Sequence, residues 1–177
     1  SDITVSTPIP NDIPYSGLLF FHQVNVKDFT DFADKSSVTI GIIGPSSRAY
    51  ETQKFVHQIT GSDEPMGWDY QLKDELVFQF SRARLWRSWA SESDHVDFLW
   101  GTDLKLGTIE SSTNIGMMLR VGQDMQHTYS SALLNDDRTT NPVNIYDGWY
   151  FYIGASTSYL FNMIYLDGNT YKDGPSV

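Results

Sequence analysis

Apolar and polar residues alternate along several long segments of this chain. The clearest case is 149–165, where one parity is apolar from Trp149 to Tyr165 almost without interruption and the other is small or polar. Successive side chains of a strand point to opposite faces, so this alternation predicts a strand with one apolar and one polar face. The segment is also longer than the usual strand of about 5–6 residues.

The same pattern predicts at least six strands in all. The other predicted strands are 17–26, 37–43, 75–89, 96–108 and 115–122. Within 75–89 the alternation blurs at 82–85, which indicates a bulge or a point where the strand leaves an apolar environment. The predicted connections are polar or charged, and they cover 25–36, 91–94 and 123–147.

Two kinds of fold share this alternation. In an outer-membrane barrel the apolar residues face lipid and aromatic girdles border them, whereas in a soluble sandwich or lipocalin-like barrel the apolar residues face inward. Period 2 alone does not reveal which face meets lipid, so on this evidence both folds stay open. The length of the strands favours the membrane barrel.

Composition removes several other classes of protein. The 177 residues carry 22 acidic and 12 basic side chains, and the net charge of -10 argues against nucleic acid as a partner. No apolar run reaches the roughly 18 residues of a spanning helix. The sequence contains no cysteine, which excludes disulfide scaffolds, zinc fingers and thiol catalysis.

One stretch, 44–61, is unlike the strands and predicts a short helix. Pro45 suits its start and Gly61 its C-terminal cap. Gln53 and His57 are four residues apart and therefore share a face. His57 is a candidate general base, with an ordinary surface histidine as the alternative. The apolar residues predicted to anchor the helix to the sheet are Phe55, Val56 and Ile59.

Other ionisable side chains are interpreted as structural or solvated. His22 lies in an apolar strand and is predicted to be structural, whereas His95 and His127 fall in polar segments and are predicted to be solvated. The residues predicted to form a charge network across a barrel interior are Asp103, Lys105 and Arg120.

The motifs at 41–45, 51–57 and 67–75 resemble the lipid A 3'-O-deacylases of Gram-negative outer membranes. They read Gly-Ile-Ile-Gly-Pro, then Glu-Thr-Gln-Lys-Phe-Val-His, then Gly-Trp-Asp-Tyr-Gln-Leu followed after one residue by Asp-Glu. Upstream, residues 12–17 are similar to the Asp-Arg-Pro-Tyr-Ala-Gly stretch of that family. The resemblance implies an all-β, antiparallel transmembrane barrel with one short inserted α-helix and an active site between the helix and the barrel wall.

The resemblance also implies a calcium-dependent esterase that removes the 3' acyloxyacyl chain of lipid A in the outer leaflet. His57 would be the general base, Gln53 its neighbour one turn earlier, and Asp63 an acidic residue that supports the site. Gln71, Asp74 and Glu75 would support the site without a catalytic role. The implied partners are lipopolysaccharide and outer-membrane lipids, and the protein is expected to be a monomer.

The chain departs from the family pattern at its start. The Asn-Asp pair that the family associates with calcium, and a Tyr-Thr motif that contributes a hydroxyl, belong to strands before the stretch matched here. The pair at 11–12 therefore receives no metal role, and Ser16 is interpreted as a strand residue. Residues 1–177 are expected to form one domain that lacks the first and last strands of the barrel. We expect this piece alone to be inactive or poorly folded.

Two alternatives to a deacylase stay open at this point. A porin or structural outer-membrane barrel would share the strands but would not need the helix with Gln53 and His57. A soluble ligand-binding β-barrel would be extracted into buffer without detergent.

Overall fold

Six antiparallel strands dominate the structure. The computed structural model describes residues 4, 6–7, 13–125 and 148–173, and within these ranges the six strands form one sheet in chain order. The strands are β1 (Leu18–Asp28), β2 (Phe32–Ile43), β3 (Glu75–Ala90), β4 (Val96–Gly107), β5 (Glu110–Gln123) and β6 (Trp149–Met163). β1 and β6 are the outer strands of this sheet, and the described strands do not close into a complete barrel.

Helical structure is short and lies at one end of the sheet. Helix α1 (Ala49–Thr60) lies between β2 and β3, and the 3-10 turns Pro45–Ser47 and Gly67–Tyr70 stand on either side of it. Beyond β6 come α2 (Ile164–Asp167) and a small pair of strands, β7 (Gly168–Asn169) and β8 (Lys172–Asp173). None of the helices in the described ranges is long and apolar enough to cross a membrane.

The strand register brings the apolar parities of the strands onto one face. Phe21 pairs with Ile40, and Ile40 pairs with Phe78 on the next strand. Cross-strand partners share a face, so the predicted alternation becomes one continuous exposed apolar surface, here called the outer band. The outer band comprises Leu19, Phe21, Val38, Ile40, Leu76, Phe78, Phe80, Leu104, Leu106, Ile115, Met117, Leu119, Val121, Phe151, Ile153 and Tyr159. The large apolar residues of this band are therefore exposed, which is the opposite of what a soluble β-barrel requires.

The other face of the sheet carries polar side chains that bond to one another, beside a buried apolar cluster of Ala33, Ala83, Leu85 and Leu99. Ser37 and Ser81 share a hydrogen bond of 2.6 Å, and His22 Nδ1 lies 2.7 Å from Thr39 Oγ1. Hydrogen-bonded polar side chains can be buried at little cost, so this face of the sheet can line the interior of a barrel.

Arg120 belongs to a charge network inside the sheet, as predicted, but the partners described here are residues that the sequence analysis did not name. It is fully buried, and it donates two hydrogen bonds to the carboxylate of Asp97, at 2.9 and 2.6 Å. Arg87 donates to the same carboxylate at 2.8 Å and to Asp94 at 2.7 Å. Lys105 forms an ion pair with Glu110 at 3.3 Å.

The prediction that 25–36 is a charged connection is wrong for most of its length. The turn covers only residues 29–31, and the flanking residues continue β1 and β2. Polar side chains hid these strand ends from the sequence pattern, since Asp34 faces outward with Lys27 as its register partner on one side. On the other side Arg84 donates to Asp34 through Nε at 2.6 Å.

The predicted irregularity in β3 lies in a different place from the one expected. The side chains alternate faces without a break through 82–85, where Ala83 and Leu85 are buried and the two arginines point outward. The shift in register occurs between Arg87 and Trp89. The blurred pattern thus arose from charged residues on the outward face, whereas the bulge itself leaves no polar signature in the sequence.

A small core joins the segment that carries α1 to the sheet. Ile43, Leu72, Val77 and Ile164 are buried together, and they link β2, the residues before β3, and α2. Gly44 follows β2 with φ 106°, and a Cβ at this position would come within 2.6 Å of the backbone nitrogen of Asp74. Only glycine fits this close approach.

Candidate functional site

Backbone geometry sets both ends of α1. Arg48 precedes the helix in the left-handed conformation, and Gly61 ends it in the same conformation with its N–H donating to the His57 carbonyl. The predicted role of Gly61 as the cap is confirmed. Pro45 opens a 3-10 turn, however, and the α-helix itself begins at Ala49.

Helix α1 turns its polar face toward the rest of the protein. The half-buried positions are Ala49, Tyr50, Gln53, Lys54 and His57, which recur at the spacing of one helix face. The prediction that Phe55, Val56 and Ile59 anchor the helix is wrong, because all three are exposed. No residue of α1 is fully buried, so the helix is held by polar contacts and by the segments on either side of it.

His57 is held through its Nδ1 atom. That atom lies 2.5 Å from the backbone carbonyl oxygen of Asp63. A carbonyl oxygen only accepts, so Nδ1 must carry the proton, and in the neutral ring Nε2 then carries the lone pair. Asp63 thus contacts His57 through its backbone, and its own side chain is on an exposed residue.

Gln53 is oriented by a tryptophan from the following 3-10 turn. Trp68 Nε1 donates to Gln53 Oε1 at 2.8 Å. The indole is only a donor, so the contacting atom of the amide is its oxygen, and the amide NH2 group remains available as a double donor. Gln53 lies one turn before His57, which brings an N–H donor and a basic nitrogen to one face of α1.

Trp68 rests on two tyrosines. The ring of Tyr15 meets it edge-on at 5.3 Å between centroids, and the ring of Tyr50 lies at 6.1 Å. A Cβ at Gly67 would come within 2.1 Å of the Tyr15 ring, and the Leu72 N–H donates to the Tyr15 carbonyl at 3.0 Å. The sequence motifs at 12–17 and 67–75 therefore meet in space, although sequence reasoning gave neither Tyr15 nor Trp68 a role.

An ion pair fastens the loop after α1 back to the helix. Lys54 Nζ lies 2.5 Å from Glu64 Oε1 and 3.4 Å from the Tyr50 hydroxyl. The hydrogen bond to Glu64 raises the pKa of Lys54 above its ordinary value, so the ammonium stays charged throughout the neutral range. Lys54 and the His57 contact thus fix the same loop, which supplies the Asp63 carbonyl.

The residues predicted to support the site hold its surrounding segments. The Gln71 N–H donates to the Trp68 carbonyl at 3.2 Å. The Asp74 carboxylate accepts from the backbone N–H and hydroxyl of Ser46, at 2.7 and 2.8 Å. Glu75 accepts two hydrogen bonds from Thr170, both 2.9 Å long.

The remaining candidates lie before β1, at the far end of the sheet or outside the described residues. Ser16 precedes β1, so its interpretation as a strand residue is wrong. His95 is exposed in the turn between β3 and β4, at the opposite end of the sheet from α1. His127 and the pair at 11–12 lie outside the described residues.

The described ranges do not fit a calcium ion on their own. Ca²⁺ takes about 6–8 oxygen ligands, commonly including several carboxylates. Among the residues that the structure describes, no group of three or more His, Cys, Asp or Glu side chains is placed to hold a metal ion.

One family model and one solved structure match this chain. A family model described as "Outer membrane protein LpxR" matches residues 1–177. The fold is similar to the solved structure of LpxR from Salmonella typhimurium, with a TM-score of 0.71 and 16% sequence identity. That match covers 93% of this chain and 57% of the solved chain, so this chain spans little more than half of that structure's length. No curated protein matches the chain.

Proposed function

This chain belongs to the LpxR family of outer-membrane proteins, and on that premise we propose that its protein is a calcium-dependent lipid A 3'-O-deacylase. The substrate is the lipid A of lipopolysaccharide in the outer leaflet, and the reaction hydrolyses the ester of the 3' acyloxyacyl chain. The observation that carries the proposal is the polar face of α1. There an imidazole with its Nδ1 proton engaged and an oriented amide lie one turn apart.

In the proposed reaction His57 acts as the general base. Its Nε2 takes a proton from a water molecule as the water oxygen attacks the ester carbonyl carbon, and a tetrahedral intermediate with a negatively charged oxygen forms. The NH2 group of Gln53 donates a hydrogen bond to that oxygen. When the intermediate collapses, the bond to the sugar oxygen breaks and the imidazolium returns its proton to that oxygen. The products are a free acyloxyacyl acid and a 3'-hydroxyl.

Asp63 and Trp68 act as positioning residues in this proposal. The Asp63 carbonyl keeps the Nδ1 proton in place, which leaves Nε2 basic and aims it away from the loop. Trp68 fixes the orientation of the Gln53 amide, so that its NH2 group rather than its oxygen is presented to the substrate.

Calcium dependence remains part of the proposal. The described residues do not make a calcium site by themselves, so no step above passes through the ion. Chelation of calcium in membranes that contain the complete protein should abolish deacylation, and readdition of calcium should restore it. Full activity in the chelator would remove the metal from the proposal.

The decisive experiment is mass spectrometry of lipid A from cells that express the complete protein. We compare the wild type with His57→Gln and use His95→Gln as a control, because His95 is exposed at the opposite end of the sheet. Loss of the 3' acyloxyacyl group in the wild type and in the control, but not in His57→Gln, is the expected result. Unchanged lipid A with a well-inserted wild type would favour a porin or structural barrel instead.

A further inference from the structure

Helix α1 has an uncharged stripe on its exposed side. Phe55, Val56 and Ile59 are 62%, 47% and 69% exposed. At about 100° per residue they occupy roughly a quarter to a third of the helix circumference, directly opposite Tyr50 and His57. An ordinary amphipathic helix on a protein surface turns such a stripe toward the core, whereas α1 turns it outward.

The polar atoms close to this stripe are already satisfied within the helix. The hydroxyl of Thr52 donates to the Arg48 carbonyl at 2.9 Å, and that of Thr60 donates to the Val56 carbonyl at 3.1 Å. Glu51 lies on the flank of the helix, where it pairs with Arg48 at 3.0 Å. The stripe therefore presents hydrocarbon without a charge and without a hydroxyl hydrogen that needs an external acceptor, so it can enter an apolar medium at low cost.

The stripe lies at the end of the sheet that carries Leu19 and Leu76 of the outer band, which are 58% and 76% exposed. Helix α1 begins against Gly17, since a Cβ at Gly17 would come within 2.4 Å of the Ala49 Cβ. Gly17 immediately precedes β1, whose Leu19 belongs to the outer band. The segment after α1 leads directly into β3, whose Leu76 is 76% exposed. In an outer-membrane protein the outer band faces lipid, and the helix that carries the exposed stripe stands at the end of β1 and β3 in this band.

We propose that α1 lies on the membrane surface with Phe55, Val56 and Ile59 inserted among the acyl chains of the bilayer lipids. Helices that lie in the membrane interface bury one apolar face and keep their polar residues on the other. In α1 the polar face belongs to the candidate site, so insertion of the stripe would hold His57 and Gln53 at the depth where acyl esters begin. The partner is the bulk bilayer, and the proposal does not depend on the hydrolytic chemistry.

The test measures which medium surrounds the stripe. The 177 residues contain no cysteine, and any cysteine elsewhere in the complete protein is replaced by serine, so single cysteines can carry an environment-sensitive fluorophore at chosen positions. Labels replace Phe55 or Ile59 in the stripe, Phe78 in the outer band as the lipid reference, and Gln58 on the exposed polar flank of α1 as the water reference. The complete protein carries His57→Gln throughout and is reconstituted in phosphatidylcholine vesicles without lipid A.

Two quenchers then distinguish lipid from water. Spin-labelled phosphatidylcholine should quench the labels at 55 and 59 within about 2-fold of the label at 78, and iodide should quench them several-fold less than the label at 58. Iodide quenching at 55 and 59 equal to that at 58 would overturn the proposal. Protection that appears only after lipid A is added would also overturn it, because the stripe would then hold substrate chains rather than the bilayer. Two stripe positions guard against one variant that fails to insert.

Discussion

The two ends of the sheet are built on different principles. At the end opposite α1, Asp97 and Arg120 are both fully buried and form charge-assisted bonds with Arg87 closing the network. At the α1 end, a small apolar core supports loops, and the polar face of the helix is held by single hydrogen bonds and by the Lys54–Glu64 ion pair. One end therefore concentrates interactions whose loss is costly to the fold, and the other keeps polar atoms available.

The contrast follows from what each end has to do. A buried ion pair is stable only when its partners satisfy one another completely, and such a closed network has no donor or acceptor to offer a substrate. A catalytic site needs the opposite condition. The protein must orient its donors and bases, and each of them must keep one hydrogen-bonding position open for the substrate. Substitutions at the two ends should accordingly separate stability from activity.

The largest effect on activity should come from His57→Gln. Loss of a general base lowers the rate of an ester hydrolysis by about 10²–10⁴-fold. The free energy of unfolding should change by no more than about 1 kcal/mol, because His57 is only half-buried and makes a single hydrogen bond, to the Asp63 carbonyl. Rates of lipid A deacylation in detergent micelles, together with urea unfolding of the same samples, measure both quantities. A large loss of stability with retained activity would reverse the assignment of the two ends.

The largest effect on stability should come from Arg120→Met. Removing one partner of a buried pair typically costs about 3–5 kcal/mol, and we expect the lower value because Arg87 still neutralises Asp97. The matched control is Arg82→Met. Arg82 is exposed and forms a longer ion pair with Asp34, at 3.4 Å, and exposed pairs contribute about 0–1 kcal/mol. Urea unfolding followed by tryptophan fluorescence reports both. Equal destabilisation by the two variants would contradict the difference between the ends.

Sequence reasoning predicted the sheet well because its signal is local and repeated. The two-residue period of a strand was enough to predict the alternation of apolar and polar residues around Phe78 and Phe151. The comparison structure supports the same barrel-type fold. The strand ends around Lys27 and Asp34 were missed, because a strand whose polar residues bond across to the next strand carries no apolar alternation.

The site was predictable in its parts but not in its contacts. The spacing of Gln53 and His57 placed both on one face of a helix, and that is where they lie. The partner of His57 is a backbone carbonyl, which is present in every residue type and leaves no trace in the sequence. The outward position of Ile59 was also missed, because an amphipathic helix is expected to turn its apolar side toward the core, whereas α1 turns its polar side inward.

A smaller effect is expected from Trp68→Phe. Phenylalanine keeps an aromatic ring against Tyr15 but cannot donate to Gln53 Oε1, so the amide of Gln53 loses its fixed orientation. A hydrogen bond is worth about 1 kcal/mol, which corresponds to a decrease in deacylation rate of about 5-fold. Trp89→Phe is the control, because Trp89 is exposed on the far half of β3. Similar rates for the two variants would show that the Trp68 indole nitrogen does not orient the site.

The smallest effect is expected from Asp63→Asn, although the family resemblance gives this residue a supporting role. The contact with His57 uses the Asp63 backbone carbonyl, which asparagine retains, so the deacylation rate should stay within about 2-fold of the wild type. The control is Asp74→Asn, where the carboxylate itself accepts two hydrogen bonds from Ser46. An amide can replace only one of these acceptors, so about 1 kcal/mol of stability should be lost there. A strong loss of activity in Asp63→Asn, with its unfolding unchanged, would mean that the negative charge of Asp63 acts on the imidazolium after all. The α1 end would then hold its base by electrostatics, as the opposite end holds Arg120.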